Sequence, residues 1–238
     1  MGSTESGIVG ITRRIFLRLT GGMLFMTTIP SAIAGFFIKT LPVRTVEKST
    51  PKFYPNTGFV DLDNKKEPYR LIVDGLVKER RSFSYADINS FPLLEQVSDF
   101  HCVEGWSVKD LKWSGFRFKE ILNRTEPARD ATHVLFHALG KTGHSPGGQS
   151  HYIETFPLSE LLDPAREILL VLAIDNRPLP EENGGPLRLI SPHDLGYKSI
   201  KFITRIEFIK EERPGWWTLA NPAYPMVARV PEGRLRRK

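Results

Sequence analysis

Residues 99–113, DFHCVEGWSVKDLKW, hold the only cysteine of the 238-residue chain, Cys102, with His101, Glu104, Trp106 and Ser107 around it. A thiolate acts as a nucleophile or as a soft metal ligand. A buried free cysteine that packs as a small hydrophobe is the alternative reading of the same residues. One cysteine excludes an intramolecular disulfide and any Cys-rich zinc or iron–sulfur site. A second feature is Arg188, a charge inside the apolar Pro186-Leu187-Arg188-Leu189, where a buried guanidinium needs a partner. A structural salt bridge would supply one. A third is Gly196-Tyr197-Lys198-Ser199-Ile200-Lys201. Its glycine allows close backbone approach, exposed N–H groups would form an anion nest, and Lys198 and Lys201 would supply charge; taken alone, it is an ordinary basic loop.

Other constellations carry less. His133 and His137 are four apart, but their segment reads as a strand, where such positions lie about 13 Å from one another, which argues against a zinc pair. There is no P-loop and no G-x-G-x-x-G, so ATP and dinucleotide binding have no support. A hydrolase built on Cys102 and a histidine has no nucleophile-elbow pattern around the cysteine.

The elements that must position these residues follow from pattern. Residues 69–77 read as a strand with Asp74-Gly75 as a hairpin turn signal, and residues 84–91 as a short helix capped by Ser84 and stopped by Pro92. Residues 96–102 look extended and deliver Cys102 at a strand end, where catalytic groups commonly sit. Residues 116–122 have helical spacing, residues 132–138 and 149–156 read as strands around a polar loop, and residues 158–162 make a helical turn. Residues 168–174 form a continuous apolar run, a strand buried on both faces, and residues 202–210 alternate as a late sheet strand. Strands with a few short helices and no regular βαβ alternation predict an α+β fold.

The net charge is +6, but residues 1–48 hold six Lys or Arg against two Asp or Glu, residues 229–238 hold five against one, and the body between is net −2. Basic ends on a near-neutral body make no nucleic-acid footprint. Residues 12–22, TRRIFLRLTGG, followed by the uncharged 18-residue run 21–38, resemble a twin-arginine export signal. Ser31-Ala32-Ile33-Ala34 offers a cleavage site after Ala34, and the uncharged run is also near the lower limit for an anchor. The expected organisation is a signal or membrane anchor over 1–40, a linker and irregular lead-in over 41–66, one domain over 67–228, and a basic tail over 229–238 that is charged and solvated over 234–238.

DFHCVEGWS, followed by Trp113-x-Gly115, resembles the molybdopterin-binding oxidoreductase domain of the sulfite oxidase superfamily, and NGGPLRLISPHDLGYKSIKFITRIEF (residues 183–208) is similar to the cofactor-binding region of that family. The likeness covers roughly residues 69–217 and is nearer to the short bacterial members, including molybdenum-type periplasmic methionine sulfoxide reductases. It implies a mixed-sheet domain with short helices, preceded here by the signal or anchor helix. It implies a molybdenum–molybdopterin cofactor, with Cys102 as the protein's metal ligand and Trp106 in the wall beside the metal (ordinary core is the rival role for Trp106). It also implies that Asn183, Arg188, His193, Lys198, Ser199, Ile200 and Lys201 bind the cofactor, His193 being equally readable as a loop histidine.

The same resemblance implies oxygen-atom transfer. Sulfite oxidases carry an arginine soon after the cysteine; here that stretch is Val103-Glu104-Gly105-Trp106-Ser107, which places a carboxylate where a dianion would need a cation. Reduction of an S- or N-oxide, such as methionine sulfoxide in a small molecule or a damaged protein, is therefore expected. Sulfite dehydrogenation and a metal-free binding module on the same fold are the alternatives. Electrons would come from a membrane haem or quinol-linked subunit, and the chain would be an exported, periplasmic or membrane-facing monomeric catalytic subunit.

Overall fold

A computed structural model of the chain describes residues 47–235; the expected signal or anchor and the last three residues of the tail lie outside them. The described part opens with β1 (Lys52–Tyr54), β2 (Phe59–Leu62) and β3 (Lys65–Pro68), an antiparallel three-stranded sheet. The expected linker over 41–66 is thus largely a meander. Its β2–β3 turn is Asp63-Asn64, both at positive φ, a backbone that Asp and Asn tolerate and that two-residue hairpins require. Phe53 and Val60 alone among its apolar side chains are buried, which explains why no apolar period betrays it.

The body follows as β4 (Arg70–Gly75), β5 (Arg81–Ser84), α1 (Tyr85–Asn89), β6 (Leu94–His101), β7 (Ser107–Phe116), α2 (Lys119–Leu122), β8 (His133–Ala138), β9 (Ile153–Pro157), α3 (Leu158–Leu162), β10 (Leu169–Ile174), β11 (Arg177–Pro178), β12 (Arg188–Ile190), β13 (Ile203–Ile209) and α4 (Trp216–Ala220). One five-stranded sheet has the order β5-β4-β13-β8-β9, with β4 and β13 parallel; the other runs β11-β10-β7-β6, with β12 also on β10. Mixed sheets with four helices of at most five residues among the described residues make the α+β architecture read from the pattern. None of the described helices is long and apolar enough to cross a membrane.

Two local expectations change. Asp74 and Gly75 are strand residues, because β13 pairs in parallel with residues 72–75; at Gly75 (φ +84°) a Cβ would sit 2.3 Å from the Phe208 carbonyl oxygen. The helix expected over 116–122 shrinks to Lys119–Leu122, because Phe116 is fully buried at the end of β7, where it registers with Leu170. Helix 84–91 forms as α1, with Ser84 and Asp87 closing a capping box.

β10 explains its own apolar run. Leu170 and Leu172 point into the larger core with Leu71, Phe136 and Phe208, while Leu169, Val171 and Ile174 point into a second core with Val108, Leu111, Trp113 and Ile190. A bulge between Val171 and Ala173 shifts the parity, so that Ile174 joins the second core.

Candidate active site

Cys102 sits where the sequence places it, in the turn that joins β6 to β7 beyond the last register pair, His101 with Ser107. The Cys102 N–H donates to the Trp106 carbonyl at 2.9 Å and the Gly105 N–H to the Cys102 carbonyl at 3.2 Å. The cysteine is partly exposed, so the buried-hydrophobe alternative fails. Its Sγ lies 4.0 Å from Oε2 of Glu104, which also accepts the Trp106 indole N–H at 3.2 Å. Beneath, the Trp106 ring tilts over Phe100 with centroids 6.1 Å apart, and both pack against the second core.

The second block meets this turn through Phe100. The Arg188 guanidinium, on β12, lies 5.8 Å from the centre of Phe100 and 5.7 Å from that of Trp113. Gly196 meets the same ring: a Cβ there would fall 2.3 Å from a Phe100 ring carbon, so only glycine lets this backbone approach. Arg188 is 2% exposed. Its Nη1 donates to the Asn183 carbonyl at 2.8 Å and its Nη2 to the Ser199 carbonyl at 3.1 Å, while Nε has no partner. Among the described residues no carboxylate forms an ion pair with it, which removes the salt-bridge alternative. Burial pushes its pKa down to about 10. Asn183, in a 3-10 turn before the strand, is also buried and leaves its Nδ2 unpartnered.

Residues 196–201 depart from the expected nest. Gly196–Lys198 is a 3-10 turn in which the N–H groups of Lys198, Ser199 and Ile200 already donate to the carbonyls of Leu195, Gly196 and Lys198. Lys198 turns inward: its Nζ donates to Oε1 of Glu154 at 2.5 Å and to the Thr155 carbonyl at 2.9 Å, so its charge is met inside the fold. Ser199 is buried and accepts from the Ser191 N–H at 3.2 Å, and Ile200 is wholly buried. Lys201 stays at the site: its Nζ donates to the Glu182 carbonyl at 2.9 Å, and burial, with Arg188 nearby as a second cause, pushes its pKa down to about 8. His193 shares a hydrogen bond of 3.2 Å with Glu167. The structure therefore brings Trp106, Arg188 and Gly196 against Phe100, sets Asn183 and Lys201 near Arg188, and turns Lys198 away.

Sequence reasoning missed Arg234. Its Nη2 donates to the carbonyls of Cys102 (3.0 Å) and Trp106 (2.7 Å) and to Oγ of Ser107 (3.1 Å). The start of the basic tail is docked through Arg229 and Val230, and Arg234, expected to be solvated, is docked as well. The signal that could have exposed it is the alternation of buried Ala228 and Val230 around Arg229.

Among the described residues no group of three or more His, Cys, Asp or Glu side chains is placed to hold a metal ion. A metal held chiefly by a cofactor needs one thiolate from the protein, and the partly exposed Cys102 is a residue that could supply it. The orphaned donors on Arg188 and Asn183, buried without counter-charge, fit the polar edge or phosphate of a pterin.

A mixed-sheet domain that combines one partly exposed thiol with buried, unanswered donors suits a cofactor-dependent oxidoreductase, and the chain belongs to the oxidoreductase molybdopterin binding domain family, whose model matches residues 58–217. That span takes in β2 and β3. Among curated proteins, it is 32% identical over 182 residues to the protein-methionine-sulfoxide reductase catalytic subunit MsrP of Ralstonia nicotianae, covering 74% of this chain and 52% of that one; it thus spans about half the length of this relative. The sulfane dehydrogenase SoxCD from Paracoccus pantotrophus superimposes with a TM-score of 0.52 at 18% identity, over 60% of this chain and 38% of that one, a likeness of fold.

Proposed function

We propose that this molybdopterin-binding oxidoreductase uses a molybdenum–molybdopterin cofactor to reduce a neutral S- or N-oxide, such as methionine sulfoxide in a protein. The Glu104 carboxylate, 4.0 Å from the Cys102 thiol, carries the choice of substrate. A sulfite dianion bound beside Cys102 would be repelled by that carboxylate, and because Glu104 is exposed, solvent screens the repulsion to on the order of 1 kcal/mol. A sulfoxide has no net charge, and the Phe100–Trp106 wall gives it apolar contact. The 32% identity to a methionine sulfoxide reductase subunit supports the same direction.

When bound, the cofactor supplies the electron pair and the acceptor for the oxygen atom. Cys102 is the protein's ligand to the metal, and Trp106 walls the substrate side and orients Glu104. Arg188 and Asn183 hold the pterin by their orphaned donors, Lys201 neutralises its phosphate, and the buried Ser199–Ile200 backbone props that lysine and Arg188 in place. His193 bonds pterin or substrate through the ring nitrogen that Glu167 does not engage. Electrons arrive from a membrane haem or quinol-linked subunit at the outer face of the cytoplasmic membrane, where the twin-arginine signal would deliver a monomeric catalytic subunit. Sulfite dehydrogenation is the second reading, favoured by the guanidinium of Arg234 at the turn, although its Nη2 is turned to the turn's own acceptors.

Metal analysis of protein made in cells that synthesise molybdopterin tests this first. The expected result is about one molybdenum per chain, lost in Cys102→Ala, with sulfoxide turnover above sulfite turnover. In Glu104→Gln, sulfite turnover should rise about tenfold relative to sulfoxide turnover. Sulfite turnover without sulfoxide reduction reverses the order of the two readings, and folded protein without molybdenum leaves a binding module.

A further inference from the structure

Residues 228–234 return across the site and tie its two halves together. The Leu195 N–H donates to the Ala228 carbonyl at 2.7 Å and the Val230 N–H to the His193 carbonyl at 3.0 Å, with Asp194 and Arg229 opposite each other in a short antiparallel bridge. Arg229 anchors the near end, with Nη1 2.7 Å from Oδ1 of buried Asp194 and Nη2 2.6 Å from Oε1 of Glu160. Arg166 reaches the other Asp194 oxygen at 2.6 Å. Beyond Pro231, a 3-10 turn, Glu232–Arg234, aims Arg234 at the Cys102 hairpin.

The hairpin turn has little of its own to hold it. Two backbone hydrogen bonds cross it, and Gly105 stands exposed at φ +96° with nothing within 4 Å of the place a Cβ would take. Arg234 bridges the first and last residues of the turn through their carbonyls and adds Ser107 at the start of β7. All three acceptors meet one nitrogen, Nη2, whose two in-plane protons the rigid guanidinium holds in fixed directions, whereas a lysine ammonium is a point charge on a flexible stem. The Nε of Arg234 is buried without a partner, so the guanidinium is held by Nη2 and by packing.

We infer that Arg234 is the positioning residue for Cys102: the returning segment sets the direction in which the thiolate meets its metal, and so completes the site from outside the two sequence blocks that otherwise build it. The inference rests on the reading of Cys102 as the metal ligand. It differs from a general packing role in that removal of the guanidinium should loosen the turn alone and alter the metal's surroundings in protein that still loads.

Hydrogen exchange on the full-length apoprotein and electron paramagnetic resonance of the singly reduced, molybdenum-loaded protein test it together. In Arg234→Ala, the amides of Cys102 and Gly105 should exchange about tenfold faster or more, those of β8 should keep their rates, and the metal's g-values should shift at unchanged molybdenum content. Arg234→Lys should fall between. Wild-type exchange in the turn, or wild-type g-values in the loaded Arg234→Ala protein, overturns the inference. Should Arg234→Ala fail to fold, Arg234→Lys decides alone: faster exchange in the turn supports the role and wild-type exchange overturns it. A chain that takes up no molybdenum removes the proposed function, while the exchange arm still reports whether Arg234 holds the turn.

Discussion

Two buried cations ten positions apart are treated in opposite ways. Lys198 lies against Glu154 at 2.5 Å, the side chains 7% and 2% exposed, and a backbone carbonyl and the face of Phe156 complete its surroundings. Arg188 is as deeply buried but has only two carbonyls, two aromatic faces and an idle Nε. Burying a charge costs several kcal/mol unless paired, so a fold keeps an unpaired one only where something else repays it. The lysine belongs to the stability of the fold, and the arginine is the one that the proposed function assigns to the cofactor.

The contrast breaks most visibly at the lysine. Lys198→Ala leaves Glu154, whose carboxyl burial already pushes up, without its cation, and should destabilise the apoprotein by about 3–5 kcal/mol in urea unfolding. A third buried cluster sharpens the comparison by its pH response. His137 bonds His151 at 2.8 Å and Glu207 at 2.9 Å, with Arg205 and Asp74 alongside, and burial pushes its pKa down to about 4. Since the folded pKa lies below the ordinary value of about 6.5, the unfolded chain takes up the proton first. Stability is therefore fully present above about pH 6.5 and falls as pH drops toward 4; melting midpoints across that window should decline more steeply in the wild type than in His137→Gln. The smallest change in stability is expected at Arg188. Arg188→Met removes a charge and two hydrogen bonds yet fills the same space, so apoprotein stability should move by about 1 kcal/mol or less while molybdenum content collapses. A loss at Arg188 as large as at Lys198 would erase the distinction.

Cys102 and Arg188 were legible because each breaks a local pattern: a thiol at the end of an extended run, and a charge inside apolar letters. The two lysines of the 196–201 segment were not separable, because which side of a 3-10 turn faces Glu154 depends on β9, forty residues earlier. The meander went unread because β3, with all four residues exposed, has no face to alternate. Arg234 went unread because its partners are backbone carbonyls more than a hundred residues away, which leave no mark on either sequence.

The position of β10 between two cores has a further consequence. Its backbone is paired on one edge with β7 and on the other with β11 and β12, and its side chains are covered on both faces. Arg188 registers directly with Val171 on this strand. The seat of the unpaired cation is thus fastened to a part of the molecule that comes apart only when both cores do. Under the proposed function, local fraying of the meander or of α4 would leave the hold on the cofactor intact, and losing it would require melting the whole domain.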